Sequence, residues 1–503
     1  TNGGRLEIWC PVTQTAAGVI AANGGNVGLR GGTIAGGSFR STGASVVESV
    51  SNTTTTVEGI ENRATVHLWA NNSVLAVRGT VVNHGTIELH PNTGMGAGRI
   101  RLDSAATFAG SGSVACNAEI FSAVGAGLAN ESGHTLKGRG TVSVAVDNRG
   151  TVESDQSGRT FNLSGGAAQF SGTTLTGGTW VARAGATLAV AGAPNVTVNQ
   201  GEVVLEGAGS TIAWINLLAD NQGGFRIAAG RNFTTAGTLA NSGLLDVGSG
   251  STLAVPGNLQ ATGAATTRVE IAGPPADPAT WGHFAATGTA SLGGSLQVFF
   301  SRTATYADGD RWHFLNATGE RSGQFAALHF FNVPAGMMAS VEYVADGVDV
   351  LLRTSVPPDS YADWLAQQDF QHPGDDAPDA DPDGDGFPNL VEYGLDLNPA
   401  VADLPADNIR GRRSGGTLWL FVNMPEPARG DLQYTVRGTA DLVSWYDIAG
   451  RKGSGPWAWL AGAPERIVAL EAVPGRNPVE VGIPQAHEAD DAAFLSLWVT
   501  LVE

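Results

Sequence analysis

The chain has 503 residues, 42% hydrophobic and only 15% charged, with 70 glycines, which is enough apolar material for two to four folded domains. Its formal net charge of −19 argues against nucleic acid or an anionic lipid surface as a partner, since both need a basic face. No run of 18 apolar residues is present to span a bilayer, and 13 acidic residues with no Lys or Arg between positions 354 and 409 hold most of the excess charge.

The chain opens on TNGGRLEIWC, a short apolar strand without the charged and apolar regions of an export signal, as expected of a mature form. A repeat then governs the sequence. ENRATVHLW (61–69), NHGTIELH (83–90), NRGTVESD (148–155), NQGEVVLEG (199–207), NQGGFRIAAG (221–230) and NSGLLDVGSG (241–250) each place a turn signal, usually Asn-x-Gly, before an alternating strand. Asn and Gly tolerate positive φ and suit a corner. The recurrence of about 20 residues, from Asn62 to Asn83 and from Asn221 to Asn241, predicts an all-β fold built on a right-handed parallel β-helix over residues 1–265. Cys10 and Cys116 would then lie roughly five coils apart at ~4.8 Å each, too far for a disulfide.

From Thr266 to Arg353 the strands lengthen and aromatics accumulate (Trp281, Phe299, Phe300, Trp312, Phe314, Phe325, Phe330, Phe331), as expected of a β cap on the open end of a solenoid. GTASLGGSLQV followed by GDRWHFL, SGQF and YVADGVDVLL resembles the end of passenger regions in bacterial autotransporter-type surface proteins, over roughly residues 237 to 353. The resemblance implies a surface protein. No membrane barrel sequence follows, so self-translocation is not expected.

Residues 354–400 predict a helix, a calcium loop and a second helix. In DPDGDGFPNLVE, Asp381, Asp383 and Asp385 occupy loop positions 1, 3 and 5, Gly386 position 6, Phe387 position 7, Asn389 position 9 and Glu392 position 12. This is the EF-hand pattern, in which position 7 supplies a carbonyl and the final glutamate binds through both oxygens. DSYADWLAQQDF, after Pro357-Pro358 and with Asp359 as cap, reads as the entry helix, and NLVEYGL as the exit helix. Pro388 at position 8 lacks the N–H through which paired loops join, so the site is expected to be solitary. It resembles the dockerin-like and thrombospondin-type-3-like loops of secreted bacterial proteins. Asp375, Asp376 and Asp379 either complete a second ion or stay solvated. A solitary loop suits the calcium-rich exterior of a cell, and the sequons at Asn52, Asn130, Asn162, Asn195, Asn232 and Asn316 are compatible with it.

Residues 401–503 give about five strands between Pro and Gly turns, which predicts a small β-sandwich. The TADLVSWYDI element resembles C-terminal modules that follow such calcium loops. Trp445, Trp457, Trp459 and Trp498 are expected mainly in its core, with sugar stacking as the other use. The acids of residues 1–265, Asp246 among them, look scattered and solvated, and no HExxH or GxSxG motif appears, so an enzyme is not expected. The expected function is a secreted, calcium-stabilised cell-surface protein that assembles with itself head to tail into a fibre or surface layer. A carbohydrate-binding or carbohydrate-active protein, with a surface polysaccharide as partner, is the alternative.

Overall fold

Short β-branched strands between Asn-x-Gly corners stack as parallel coils. The computed structural model describes every residue except 1–3, 91–95, 355–359, 369, 371–373, 404, 427, 462–465, 471, 473–475, 485–493 and 503. One unit comprises residues 1–334 and 338–353, the other 335–337 and 354–503. The first is a parallel β-helix, its longest face a 15-stranded sheet running from Arg5–Ile8 to Ala327–Phe331. Among the described residues no helix is long and apolar enough to cross a membrane.

One inward column passes through the whole sheet. It runs from Leu6 to Val27, Val47, Val66 and Ile87, and onward through Leu245, Thr267 and Leu296 to Leu328. Every member between the two ends is buried, whereas Leu6 is 62% and Leu328 40% exposed. Each buried aliphatic member contributes roughly 1.5–3 kcal/mol before the entropy of ordering is counted. The coils are less uniform than the expected 20 residues: Leu136 pairs with Val152, but Leu296 pairs with Leu328. Extra residues are absorbed at the corners, where a longer loop costs little.

The corners explain the Asn-x-Gly signal. Asn62 donates its side-chain N–H to Asn83 Oδ1 on the next coil, Asn130 to Asn148, Asn199 to Asn221 and Asn221 to Asn241, all at 2.8 Å and all buried. The same side chain accepts, through Oδ1, from the N–H two residues on, as Asn199 does from Gly201 at 3.1 Å. The glycine at that second position is not there for positive φ, as the sequence suggested. A Cβ on Gly85 would lie 2.1 Å from the Ala64 carbonyl oxygen, and one on Gly223 2.1 Å from that of Gly201. Stacked coils approach too closely for any side chain.

The ladder is broken between Asn148 and Asn199, where Leu175 stands in register with Asn199, and also between Asn83 and Asn130, at a coil that carries Gly110 where Asn is expected. His134 bridges the latter gap, its Nε2 3.1 Å from the Asn83 amide nitrogen and its Nδ1 2.6 Å from Asn130 Oδ1. Because the Asn83 nitrogen can only donate, Nε2 accepts, Nδ1–H donates, and the ring is neutral. Burial lowers its pKa to about 4.

Thr266 does not end the stack. Leu245 pairs with Thr267 and Thr267 with Leu296, all parallel, so the aromatics of residues 266–353 first fill wider coils. Within this stretch, antiparallel strand pairing joins Gly347–Thr354 to Arg311–Ala317, over fully buried Trp312 and Phe314. Cys10 is exposed, Cys116 buried, and they are not bonded.

The second unit contains two four-stranded antiparallel sheets. Its core joins Leu420, Val422, Leu432, Tyr434 and Ile448 to Tyr361, Trp364, Tyr393 and Leu395 from the two helices. The helix–loop–helix is therefore not a separate linker, as expected for residues 354–400, but part of the sandwich. Local sequence could not show this, since the joining contacts span 30 to 70 residues. The entry helix is Tyr361–Leu365 with Ser360 as N-cap; the expected cap Asp359 and Pro357-Pro358 lie outside the described residues. The exit helix, Asn389–Leu395, falls where the sequence placed it.

His134 sets a pH dependence for the solenoid. Its pKa is depressed below the unfolded value of about 6.5, so its contribution is complete above that pH and is lost as pH falls toward 4. Thermal melts followed by circular dichroism between pH 7 and 4 should show this loss, and His134→Gln should flatten it.

Candidate metal centre

Three aspartates at alternate positions of a glycine-containing turn face one another. Ligand oxygens of Asp381, Asp383 and Asp385 lie within 4.8 Å of each other, the one such acidic group among the described residues. The turn is set by its own carboxylates. Asp381 accepts from the N–H groups of Gly384 at 2.9 Å, Asp385 at 3.2 Å and Gly386 at 2.9 Å, and Asp385 accepts from Phe387 N–H at 2.8 Å. Gly386 has φ +95°, where a side chain would be strained, as position 6 of the loop requires.

Pro388 starts the exit helix: its carbonyl accepts from Val391 N–H at 2.7 Å and Glu392 N–H at 3.0 Å. That places Glu392 in the first turn, fully buried, with neither carboxylate oxygen hydrogen-bonded. Burial, and then Asp383, Asp385, Asp403 and Asp381, raise its pKa to about 8. Asp383 is raised too, by burial and by Asp385 and Asp381, and one of its oxygens is also unpartnered. A buried carboxylate without a donor is costly, and like charges around it add to the cost.

The other two predicted positions behave differently. Phe387 is buried, leaving its carbonyl as the group it would offer. Asn389 donates its amide to the Asp375 carbonyl at 2.6 Å and the Ala377 carbonyl at 2.8 Å, so only its buried, unpartnered Oδ1 remains for a ligand. Asp375 thus contributes its main chain to the loop closure. Asp403, which the sequence did not single out, joins the site: its N–H donates to Asp385 Oδ2 at 2.6 Å, and burial with Asp385 raises its pKa. No local signal marks it, because it lies 18 residues beyond its partner.

These residues fit a hard divalent cation. All the available donors are oxygens, and the orphaned Glu392 carboxylate is the group a cation would satisfy. Asp381, Asp383, Asp385 and Glu392, with the Phe387 carbonyl and Asn389 Oδ1, would hold it. The loop is also tied to the sandwich. Asp431 accepts from Tyr361 N–H and from Tyr393 O–H, both at 2.8 Å, and Tyr434 O–H donates to the Gly394 carbonyl at 2.9 Å.

Two other surfaces depart from expectation. Asp246 is not solvated: it is 4% exposed between Arg226 at 3.6 Å and Arg268 at 3.5 Å. Trp445 and Trp498 are not in the core; their rings meet at 6.1 Å, Trp498 is 41% exposed, and Arg437 lies 4.5 Å from its centre. Trp457 and Trp459 pack partly buried against the core. Comparison with known proteins returns no matching family model, no matching curated protein and no matching solved structure, so side-chain geometry carries the functional reading.

Glu392→Gln separates a metal ligand from a structural acid by sign. With chelator present the variant should melt higher than the parent chain, because it removes a buried charge. With calcium in excess it should melt lower, having lost a ligand. At calcium a hundredfold above its dissociation constant the parent chain should gain about 2.7 kcal/mol, or roughly 5–10 °C for a unit of this size. Calorimetry that finds the same shift with and without calcium rejects the site.

Proposed function

We propose that this chain is an extracellular structural protein, a rod subunit that associates with itself and carries a calcium-stabilised C-terminal module on a cell surface. The observation that supports it most directly is the inward column from Leu6 to Leu328, buried throughout and exposed only at its two ends. A solenoid supplies length at little cost in new interactions, and its unpaired edge strands are ready templates for another chain. Head-to-tail contact is heterologous, so it propagates unless rotation closes a ring.

Calcium belongs to this reading through the orphaned Glu392 carboxylate and the three aspartates beside it. Its solitary loop suits a compartment where the ion is abundant, and the resemblances to autotransporter passengers and to dockerin-like and thrombospondin-type-3-like loops point the same way. The cation would act as a fixed brace, since the loop and the sandwich share a core.

A second reading has one observation in its favour. The tilted pair Trp445 and Trp498, with Arg437 above the latter, offers an exposed aromatic face and a donor to a sugar ring. Retention on a polysaccharide resin that Trp498→Ala abolishes, without a change in melting temperature, would support a carbohydrate-binding module.

Sedimentation and negative-stain micrographs test the first reading. With calcium at high protein concentration, elongated multimers should form, and deletion of residues 1–12 should return the protein to monomer. A parent chain that stays monomeric under these conditions overturns it.

A further inference from the structure

We propose that copies join by continuing the 15-stranded sheet in register, with Ala327–Phe331 of one copy beside Arg5–Ile8 of the next, so that Leu328 meets Leu6 and His329 meets Glu7. This rests on the reading of the chain as a self-associating rod and specifies its joint.

Both strands are edges of the same sheet, and every pairing between them in the chain is parallel. The two edges therefore run in one direction, and a translation along the stack brings them together. Each presents unpaired N–H and C=O groups. The residue columns then fix the register. Leu6 and Leu328 are the two ends of one inward column and are its only exposed members. Pairing them leaves Ile8 beside Phe330, the next inward position.

The outward columns agree. One step on from the inward column stand Glu7 at one end and His329 at the other, and within this column acid already stands beside base at Glu48, His67 and Glu88 and again at Arg226, Asp246 and Arg268. His67 lies between Glu48 and Glu88 in register and is 3.6 Å from the Glu88 carboxylate. Three steps on stand Trp9, 63% exposed, and Phe331, 38% exposed. Each already stacks on its own inner neighbour: Arg30 lies 3.9 Å from the centre of the Trp9 ring, and Phe331 lies parallel to Phe299 at 4.2 Å. At the joint, Trp9 of one copy would cover the free face of Phe331 of the other. Four successive positions are thus complementary in a single register, and a shift by one residue would turn every inward side chain outward.

The test uses the full chain carrying Cys10→Ser, with Glu7→Cys and His329→Cys together. Cys116 is buried and stays silent. The two new thiols sit at opposite ends of the sheet, so they cannot bond within one copy. Mild oxidation with calcium present should give a reducible ladder of dimers and higher species on non-reducing electrophoresis. Arg5→Cys with His329→Cys is the control, its Cα atoms about 8 Å apart in this register and beyond disulfide reach. Multimers by sedimentation with no ladder from the Glu7 pair, or a ladder only from the Arg5 pair, overturn the register but leave self-association standing. A chain that sediments only as monomer overturns both. Leu328→Asp, at the partly exposed end of the column, should abolish multimers with the melting temperature kept.

Discussion

A coil of a parallel solenoid has no hydrogen-bonding partner within itself. Each strand pairs only with the coil before and the coil after, so whatever a coil needs must be offered by its neighbour at ~4.8 Å. This constraint accounts for the buried asparagines. An amide carries both a donor and an acceptor, so Asn199 can satisfy its own corner through Oδ1 and Asn221 through its N–H, and Asn221 does the same for Asn241. A serine or aspartate at the corner would break that relay. Between Asn83 and Asn130, where the relay lacks an asparagine, neutral His134 supplies the same pair of roles from a longer side chain.

The second unit obeys a different rule. Its strands are antiparallel and its core is assembled from distant pieces, with Tyr361, Tyr393 and Tyr434 brought together around Asp431 and Arg429. Here the local problem is charge. Four carboxylates act on Glu392, and Arg476 offsets the charge at Asp403. Because the exit helix begins inside the loop and ends inside the core, whatever neutralises the loop also steadies the sandwich.

What the sequence disclosed follows from how far apart the participants lie. The corners were legible because turn, ladder amide and close-approach glycine fall within three residues. The loop was legible because its candidate ligand positions fall within twelve, and the exit helix begins inside it. Asp403, Asp431 and the arginines around Asp246 were not legible, since each partner comes from another coil or another strand. Coil length was misjudged for the same reason: a corner absorbs insertions without leaving a mark on the strands. The tryptophans misled because a large apolar ring usually seeks a core, yet Trp445 and Trp498 pair on the outside with Arg437.

An end coil and an interior coil of this solenoid differ only in having one neighbour. Leu6 occupies the place Val27 occupies one coil later, and its exposure is a property of its position in the stack. Any surface that presents the same column in the same direction would complete it, and the proposed joint uses the opposite end of a second copy as that surface. Net charge does not forbid that contact. Of the formal −19, thirteen acidic residues lie within positions 354–409, so the solenoid itself is close to neutral. Beyond a Debye length of about 8 Å at physiological salt the remaining repulsion is screened. A cation in the Asp381–Glu392 loop would lower it further. What would decide the proposed association is then the short-range fit of two strand edges, where charge is local and Glu7 would stand beside His329.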